Sequence, residues 1–423
     1  MLNVALTGNV ASGKSAVADL WTTVGVPLVS ADVLARQAVE PESAGLSRVV
    51  ERFGAEMLLE DGRLDRAALR SRVFADAEAR RDLEGIIHPI VWSLRARWLE
   101  AQRREGARLV VSEIPLLFET GREEEFDVVV LVDAPLDVRV ERMIRDRSLE
   151  PEEARRIAAS QMDPTSKRAG SHHVIDNEGT LHELEASAFG VLEAIRTLAG
   201  LPVTLTLDLH LHTWGSWDCL SRPDRILEAA DAKGVSRIGV TDHTRLDVAL
   251  EMAARNPDRV IPGEEVKTAE GIDVIGLYLW NEIPKGTPAA EVVARVREQG
   301  GIPYLPHPYA GGKGGGGRFA EELAPLVDVV EVFNGRIHKP ALNERAGELA
   351  RAHGALPGAG SDAHTLGEVG AASIRVPWHP NRPEGLRATL AHGEVRGRSS
   401  SYLVHLASTW AKIAKRLGAP GPA

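Results

Sequence analysis

Residues Gly8-Asn9-Val10-Ala11-Ser12-Gly13-Lys14-Ser15 match the pattern G-x-x-x-x-G-K-[ST]. Glycines let the backbone curl until several N–H groups converge on one phosphate chain. The start of a helix at Ser15 adds partial positive charge at the same spot. Lys14 is placed to reach the β- and γ-phosphates of a bound ATP, and Ser15 to offer a hydroxyl to Mg²⁺. Gly8, Asn9, Val10, Ala11, Ser12, Gly13, Lys14 and Ser15 are therefore the expected ATP-binding segment. Further on comes Ser30-Ala31-Asp32-Val33-Leu34-Ala35-Arg36. An acid at Asp32 can sit opposite the γ-phosphate and accept a proton from an attacking hydroxyl. Arg139, Arg142, Arg145 and Arg147, then Arg155 and Arg156, crowd one segment of a chain of net charge −10. That clustering fits a lid closing over phosphates; a solvated helix with i,i+4 charge pairs gives the same pattern.

The second half carries a different chemistry. Asp208-Leu209-His210-Leu211-His212 places two histidines two apart at a strand end, where i and i+2 share a face. Asp218 follows, then Thr241-Asp242-His243 and Gly263-Glu264-Glu265. Leu305-Pro306-His307-Pro308, Glu331-Val332-Phe333-Asn334 and Gly360-Ser361-Asp362-Ala363-His364 complete the set. Imidazoles and carboxylates suit Zn²⁺, Mn²⁺ or Fe without any cysteine. The expected metal ligands are His210, His212, Asp218, His243, Glu265, His307, Asp362 and His364. Glu264 competes with Glu265 for one place, and Asp273 is a weaker candidate.

The elements that must position these groups alternate between strand and helix. Residues 3–6 and 26–29 read as short strands, and 109–112 and 128–132 as near-continuous apolar runs. Such runs between amphipathic helices predict a parallel sheet covered on both faces. Residues 154–162 and 181–198 read as helices. Gly200-Leu201-Pro202 ends the last of these and marks a boundary between domains at 1–200 and 203–423. A new strand at 203–209 follows, and from there to about residue 377 acids and histidines sit just after strands, as in barrel-like α/β folds. Residues 311–317 are almost all glycine, which predicts a mobile loop, and 379–400 read as irregular. Leu403, Leu406, Trp410, Ile413 and Leu417 fall at helical spacing, which predicts a C-terminal helix docking this stripe on the core.

The order of L-T-G-x-x-x-S-G-K-S, x-A-D-x-x-A-R-x-x-V, Asp61-Gly62-Arg63-Leu64, I-x-H-P, Pro115-Leu116-Leu117-Phe118-Glu119 and Val174-Ile175-Asp176-Asn177 resembles dephospho-CoA kinase over residues 1–198. The resemblance implies a P-loop NTPase fold of the nucleoside-monophosphate-kinase type, with a five-stranded parallel core and a lid. It implies transfer of the ATP γ-phosphate to the ribose 3′-hydroxyl of dephospho-CoA, with Asp32 as base, Lys14 and the loop amides holding ATP, and Arg142 contacting it from the lid. Ser30 stands where the family usually has a further acid, and Ser171-His172 where it usually has A-D. Over residues 204–377 the histidine and acid motifs resemble a PHP (polymerase and histidinol phosphatase) domain. This implies a distorted seven-stranded β/α barrel with two or three metals at the strand ends, and phosphoester hydrolysis. The fusion suggests a 3′-phosphoadenosine-type substrate, since the kinase half works on such a 3′-hydroxyl.

The alternative is a kinase of another small molecule, with the PHP half a non-catalytic regulatory or structural module. A switch-type GTPase would need a guanine-reading N-K-x-D, which is not found. The acidic balance argues against a nucleic-acid polymer or a membrane surface as partner. The one cysteine, Cys219, permits no intrachain disulfide, and no apolar run approaches the roughly 20 residues that span a bilayer. A cytoplasmic protein acting on small molecules is expected.

Overall fold

Five strands build the first sheet: β1 (Leu2–Thr7), β2 (Leu28–Ser30), β3 (Leu109–Glu113), β4 (Val128–Asp133) and β5 (His173–Asp176). They lie in the order β2-β3-β1-β4-β5, all parallel. Every residue of β3 and β4 is buried, which explains their apolar runs: helices cover both faces. The second strand starts at Leu28 rather than at residue 26, after Pro27, which has no N–H to give a ladder. β1 lies in the middle, between β3 and β4, so the loop that leaves it emerges where strand order switches. Ligands bind outside the carboxyl ends of such strands.

The computed structural model describes residues 1–310, 317–400 and 404–416. The glycine-rich loop at 311–316, Leu403 and Leu417 lie outside them. The chain forms two compact units, Met1–Leu201 and Pro202–Ala423.

The second unit holds one nine-stranded sheet. Its strands are β6 (Thr204–Leu211), β7 (Arg237–His243), β8 (Val260–Lys267), β9 (Asp273–Leu277), β10 (Ile302–Leu305), β11 (Val329–Asn334), β12 (Leu356–Gly360), β13 (Ala372–Pro377) and β14 (Glu394–Gly397). Their order is β12-β11-β10-β9-β8-β7-β6-β13-β14. The sheet curls until its β12 end meets β6. There Asp362 N donates to His210 O at 2.7 Å, His212 N donates to Ala363 O at 3.0 Å, and Leu211 bridges Ala363. The strands β6 to β12 form the expected seven-stranded, nearly closed barrel, and the antiparallel pair β13–β14 is added at the β6 edge. Within the barrel β9 runs antiparallel to both neighbours.

Two expectations about the end of the chain need correction. Residues 379–400 are not irregular: they contain the helix Pro383–Leu390 and β14. Proline at the first helical position is favourable, since its missing N–H would be unpaired there anyway. The C-terminal helix exists, at Val404–Arg416, but the two stripe residues whose side chains are described, Trp410 and Ile413, are not docked: they are 64% and 45% exposed.

Candidate functional site

In the first unit, Thr7 ends β1 and residues 8–13 lead straight into the helix Lys14–Thr23. Gly13 caps that helix with φ +94°, a left-handed backbone that favours glycine. A Cβ on Gly13 would also stand 2.1 Å from Asn177 Nδ2. That amide donates to Ser12 O at 2.7 Å, and Arg142 Nη2 donates to Asn177 O and Oδ1 at 3.2 and 3.1 Å. Arg142 Nη1 reaches Ala11 O at 3.4 Å, and Val10 N donates to Gln161 Oε1 at 2.9 Å. The loop is thus held from outside by Asn177, Arg142 and Gln161.

Lys14 forms a buried ion pair with Glu113, which ends β3, and Ser15 Oγ lies 3.4 Å from the same carboxylate. Burial works against the charge of Glu113, yet hydrogen bonding and attraction from Lys14 hold its carboxyl below the ordinary value. Ser30, which ends β2, pairs in register with Glu113 across the sheet. Asp32 is exposed in the first turn of the helix Ala31–Gln37, directly after β2. It borders a cavity of about 340 Å³ shared with His88, Trp92, Ile114 and Thr120.

The arginine cluster divides. Arg142 faces the loop, as just described. Arg139 is buried and donates to Ala134 O at 3.1 Å, while Arg145 is exposed and pairs with its neighbour Asp146. Asn177 was visible in the sequence only as part of a motif. Glu119, from another motif, accepts from the fully buried Lys167 at 2.6 Å and anchors that segment.

In the second unit the eight expected ligands converge. Glu265, on β8, is the hub: its carboxylate lies 3.4 Å from His210 Nε2, 3.3 Å from His212 Nε2, and 3.1 Å from both His243 Nδ1 and His307 Nε2. Asp362 Oδ1 stands 3.7 and 3.3 Å from the Nε2 atoms of His210 and His212. Asp218 lies 3.3 Å from His364 Nε2 and 3.7 Å from His243 Nε2. Gly360 allows this closeness, since a Cβ there would meet His210 Cβ at 2.3 Å. His307 and Asp362 take positive φ, +26° and +52°, which side chains seldom adopt and which clusters at functional sites.

The donor set fits metal ions. Among the described residues, His210 Nε2, both ring nitrogens of His212, and His307 Nδ1 are buried without any hydrogen-bond partner. Buried polar atoms are normally satisfied, so these await a partner. Three overlapping sets have donor atoms within 4.8 Å of one another: His212, His243 and His364; His210, His212 and Asp362; His210, Glu265 and His307. The electrostatics agree. Burial works against charge on the Glu265 carboxyl, but His243 and His210 hold it well below the carboxylate range. Burial likewise opposes charging His212 and His307, yet the surrounding carboxylates raise them to about 10 and about 9. The nest holds positive charge strongly. Burial pushes His243 the other way, down to about 4, so it stays neutral, as a ligand must.

Of the two adjacent acids, Glu264 turns away and accepts from Ile283 N at 2.9 Å; burial raises it to about 8. Asp273 pairs with Lys267 at 3.0 Å, and burial, then Glu265, raises it to about 7. Glu331 was quoted in the sequence without a role. It accepts from His210 Nδ1 at 3.0 Å and His307 N at 2.7 Å, and so aims His210 Nε2 into the nest. Asp242, on β7, similarly accepts from Thr213 N at 2.6 Å, just past the end of β6, and both residues are fully buried. Arg336 Nη1 lies 2.8 Å from His364 Nδ1. Glu331 and Asp242 lie within β11 and β7, and position on a strand does not separate a ligand from its support.

A family model described as dephospho-CoA kinase matches residues 2–183, and one described as PHP-associated matches residues 340–395. A dephospho-CoA kinase of Syntrophotalea carbinolica is 43% identical over 183 residues, covering 43% of this chain and 87% of the relative. One of Methylococcus capsulatus is 43% identical over 186 residues, covering 44% and 92%. A solved Thermus thermophilus protein is 38% identical, covers 46% of this chain and 97% of its own, and aligns with TM-score 0.40. Among the described residues no helix is long and apolar enough to cross a membrane.

Proposed function

Because the chain belongs to the dephospho-CoA kinase family, we propose that its first unit moves the γ-phosphate of ATP, with Mg²⁺, to the ribose 3′-hydroxyl of dephospho-CoA. We propose further that its second unit hydrolyses a phosphoester with bound metal. The observation that carries the kinase reading is the meeting of cradle and cavity at Glu113. That carboxylate holds Lys14, its residue pairs in register with Ser30, two residues before Asp32, and Ile114 beside it lines the cavity that Asp32 borders. A hydroxyl seated in the cavity lies between a base and the phosphate cradle. Lys14 neutralises charge on the β- and γ-phosphates, the loop amides orient them, Ser15 offers its hydroxyl to Mg²⁺, and Asp32 takes the proton. Arg142, already bonded to the loop, closes it from the lid side.

Replacing Asp32 by Asn tests this. ADP production from ATP with dephospho-CoA should fall about 10²–10⁴-fold with ATP binding retained. Undiminished turnover in the variant would remove Asp32 from the role of base.

In the second unit His210, His212, Glu265, His307 and Asp362 would hold metal on one side of the nest, and His243, His364 and Asp218 on the other. Imidazole and carboxylate donors suit Zn²⁺, Mn²⁺ or Fe. Bound there, such ions would supply Lewis acidity toward phosphoryl oxygens. Glu331 fixes the His210 ring, and Asp242 fixes Thr213 just past the end of β6. Phosphate release from adenosine 3′,5′-bisphosphate and from p-nitrophenyl phosphate, with Zn²⁺ or Mn²⁺, is the assay. Release that is lost in His212→Ala supports a hydrolase. No release from either would favour a structural or regulatory module instead.

A further inference from the structure

The C-terminal helix turns its polar side inward. Ser408 and Ala411 are buried and Lys412 and Lys415 partly so, while Trp410 and Ile413 face outward. Residues 408, 412 and 415 fall at i, i+4 and i+7, one stripe of the helix. That stripe lies against the rim of the metal nest. Arg336 Nη2, whose other nitrogen lies beside His364, donates to Ser408 Oγ at 2.8 Å. Lys415 Nζ donates to the carbonyls of Trp214 and Ser216. Lys412 Nζ stands 3.9 Å from Asp218 Oδ2 and 4.4 Å from the centre of the Trp217 ring.

Two of these three contacts explain how the helix stays in place. The third does not. Lys415 has two carbonyl acceptors, and Ser408 has the guanidinium of Arg336. Lys412 has a carboxylate beyond hydrogen-bond reach and the face of an indole. An ammonium carries three protons, and among the described residues no hydrogen bond takes them up. Its side chain is 38% exposed. Trp217, 52% exposed, stacks on the ring of His243 at 5.7 Å and lies under the ammonium, so both stand at the opening of the nest. A long ion pair and a cation–π contact are weak and easily exchanged.

We propose that Lys412 binds the phosphate group on which the metal nest acts, so that the C-terminal helix is part of the substrate site. This rests on reading the second unit as a phosphoesterase. A phosphate monoester dianion entering the nest meets metal-binding side chains on one side, and its outward oxygen needs a donor on the other. Lys412 supplies that charge-assisted hydrogen bond. Ser408 and Lys415 hold the helix still while it does so. When no phosphate is present, Trp217 and Asp218 keep the ammonium at the opening.

The test is calorimetric titration of inorganic phosphate into the Mn²⁺-loaded full chain, with excess ADP and Mg²⁺ filling the nucleotide cradle. Lys412→Ala should weaken phosphate binding about tenfold or more with manganese content unchanged. Lys412→Arg, which keeps charge and donors, should restore most of the affinity. Equal affinity in wild type and Lys412→Ala overturns the proposal, and so does the absence of phosphate binding by the wild type. A loss of manganese that matches the loss of phosphate affinity also overturns it, because Lys412 would then be a structural counter-ion. The hydrolase reading fails separately: Lys412-dependent phosphate binding without hydrolysis of p-nitrophenyl phosphate leaves the binding role standing and removes only the activity.

Discussion

The nucleotide cradle of the first unit and the metal nest of the second both hold concentrated charge, but they are built differently. The cradle is eight consecutive residues, and most of what it offers is backbone N–H. The nest is eight side chains drawn from strand ends between His210 and His364, and its backbone serves only to aim them. A site made of amides depends on the path of the chain, so most of its side chains are replaceable. A site made of imidazoles and carboxylates depends on its individual side chains, and His210 depends in turn on Glu331 to orient it.

That contrast can be broken at several points. The largest expected effect is at Lys14, the one side chain in the cradle with formal charge. Lys14→Ala should lower kcat/KM for ADP formation about 10³-fold, whereas Val10→Ala, which keeps its amide, should change it less than about threefold. Similar losses in both variants would show that the cradle depends on side chains after all.

Next is Glu331, which touches ligands without being counted among them. Glu331→Gln keeps the shape but loses the charge that fixes His210 and the His307 amide. Manganese affinity by equilibrium dialysis should fall about 10–100-fold, with kinase turnover unaltered. Unchanged affinity would mean that the nest aims its own ligands.

The smallest effect concerns acid stability in the second unit, away from the nest. His379 is fully buried, and burial, then the Arg237 guanidinium, pushes it down from 6.5 to about 3. Below its unfolded value the unfolded chain takes up a proton that the folded protein refuses. The stabilisation is therefore complete above pH 6.5 and declines as pH falls, by about 2 kcal/mol at pH 5. Denaturant unfolding of His379→Gln should show a flatter pH dependence by that amount; parallel curves for the two proteins would exclude the effect.

The same difference explains how much was legible in the sequence. A contiguous motif with a strand before it and a helix after it announces a cradle without any tertiary knowledge. The nest was legible because its proposed ligands recur in short groups after strands, and Glu265 and Glu264 differ only in which way they point. Glu331 was not, because its importance comes from reaching His210 past Gly360 of β12, where the barrel closes. Asn177 was hidden likewise until it was seen against Gly13. The C-terminal helix misled for another reason. Apolar spacing predicts an inward stripe, but here the competing surface is a charged rim with carbonyls and a guanidinium to satisfy. Ser408, Lys412 and Lys415 match that rim better than Trp410 and Ile413 do. Residues 379–400 looked irregular because proline and glycine counts hide a helix that begins at Pro383.

The pairing of β6 with β13 sets a timetable. Thr204–Leu211 opens the second unit and Ala372–Pro377 nearly ends it, yet they lie side by side, and the residues after β12 seal the barrel against the same first strand. During synthesis β6 must wait, one edge unpaired, until most of its unit has left the ribosome. The first unit has its last strand, His173–Asp176, before any of the second unit exists. Closing so long a loop costs entropy before any contact rewards it. The expectation is that the kinase half can complete its sheet first, and that the barrel half is the slower to refold and the more exposed to aggregation through its waiting edge.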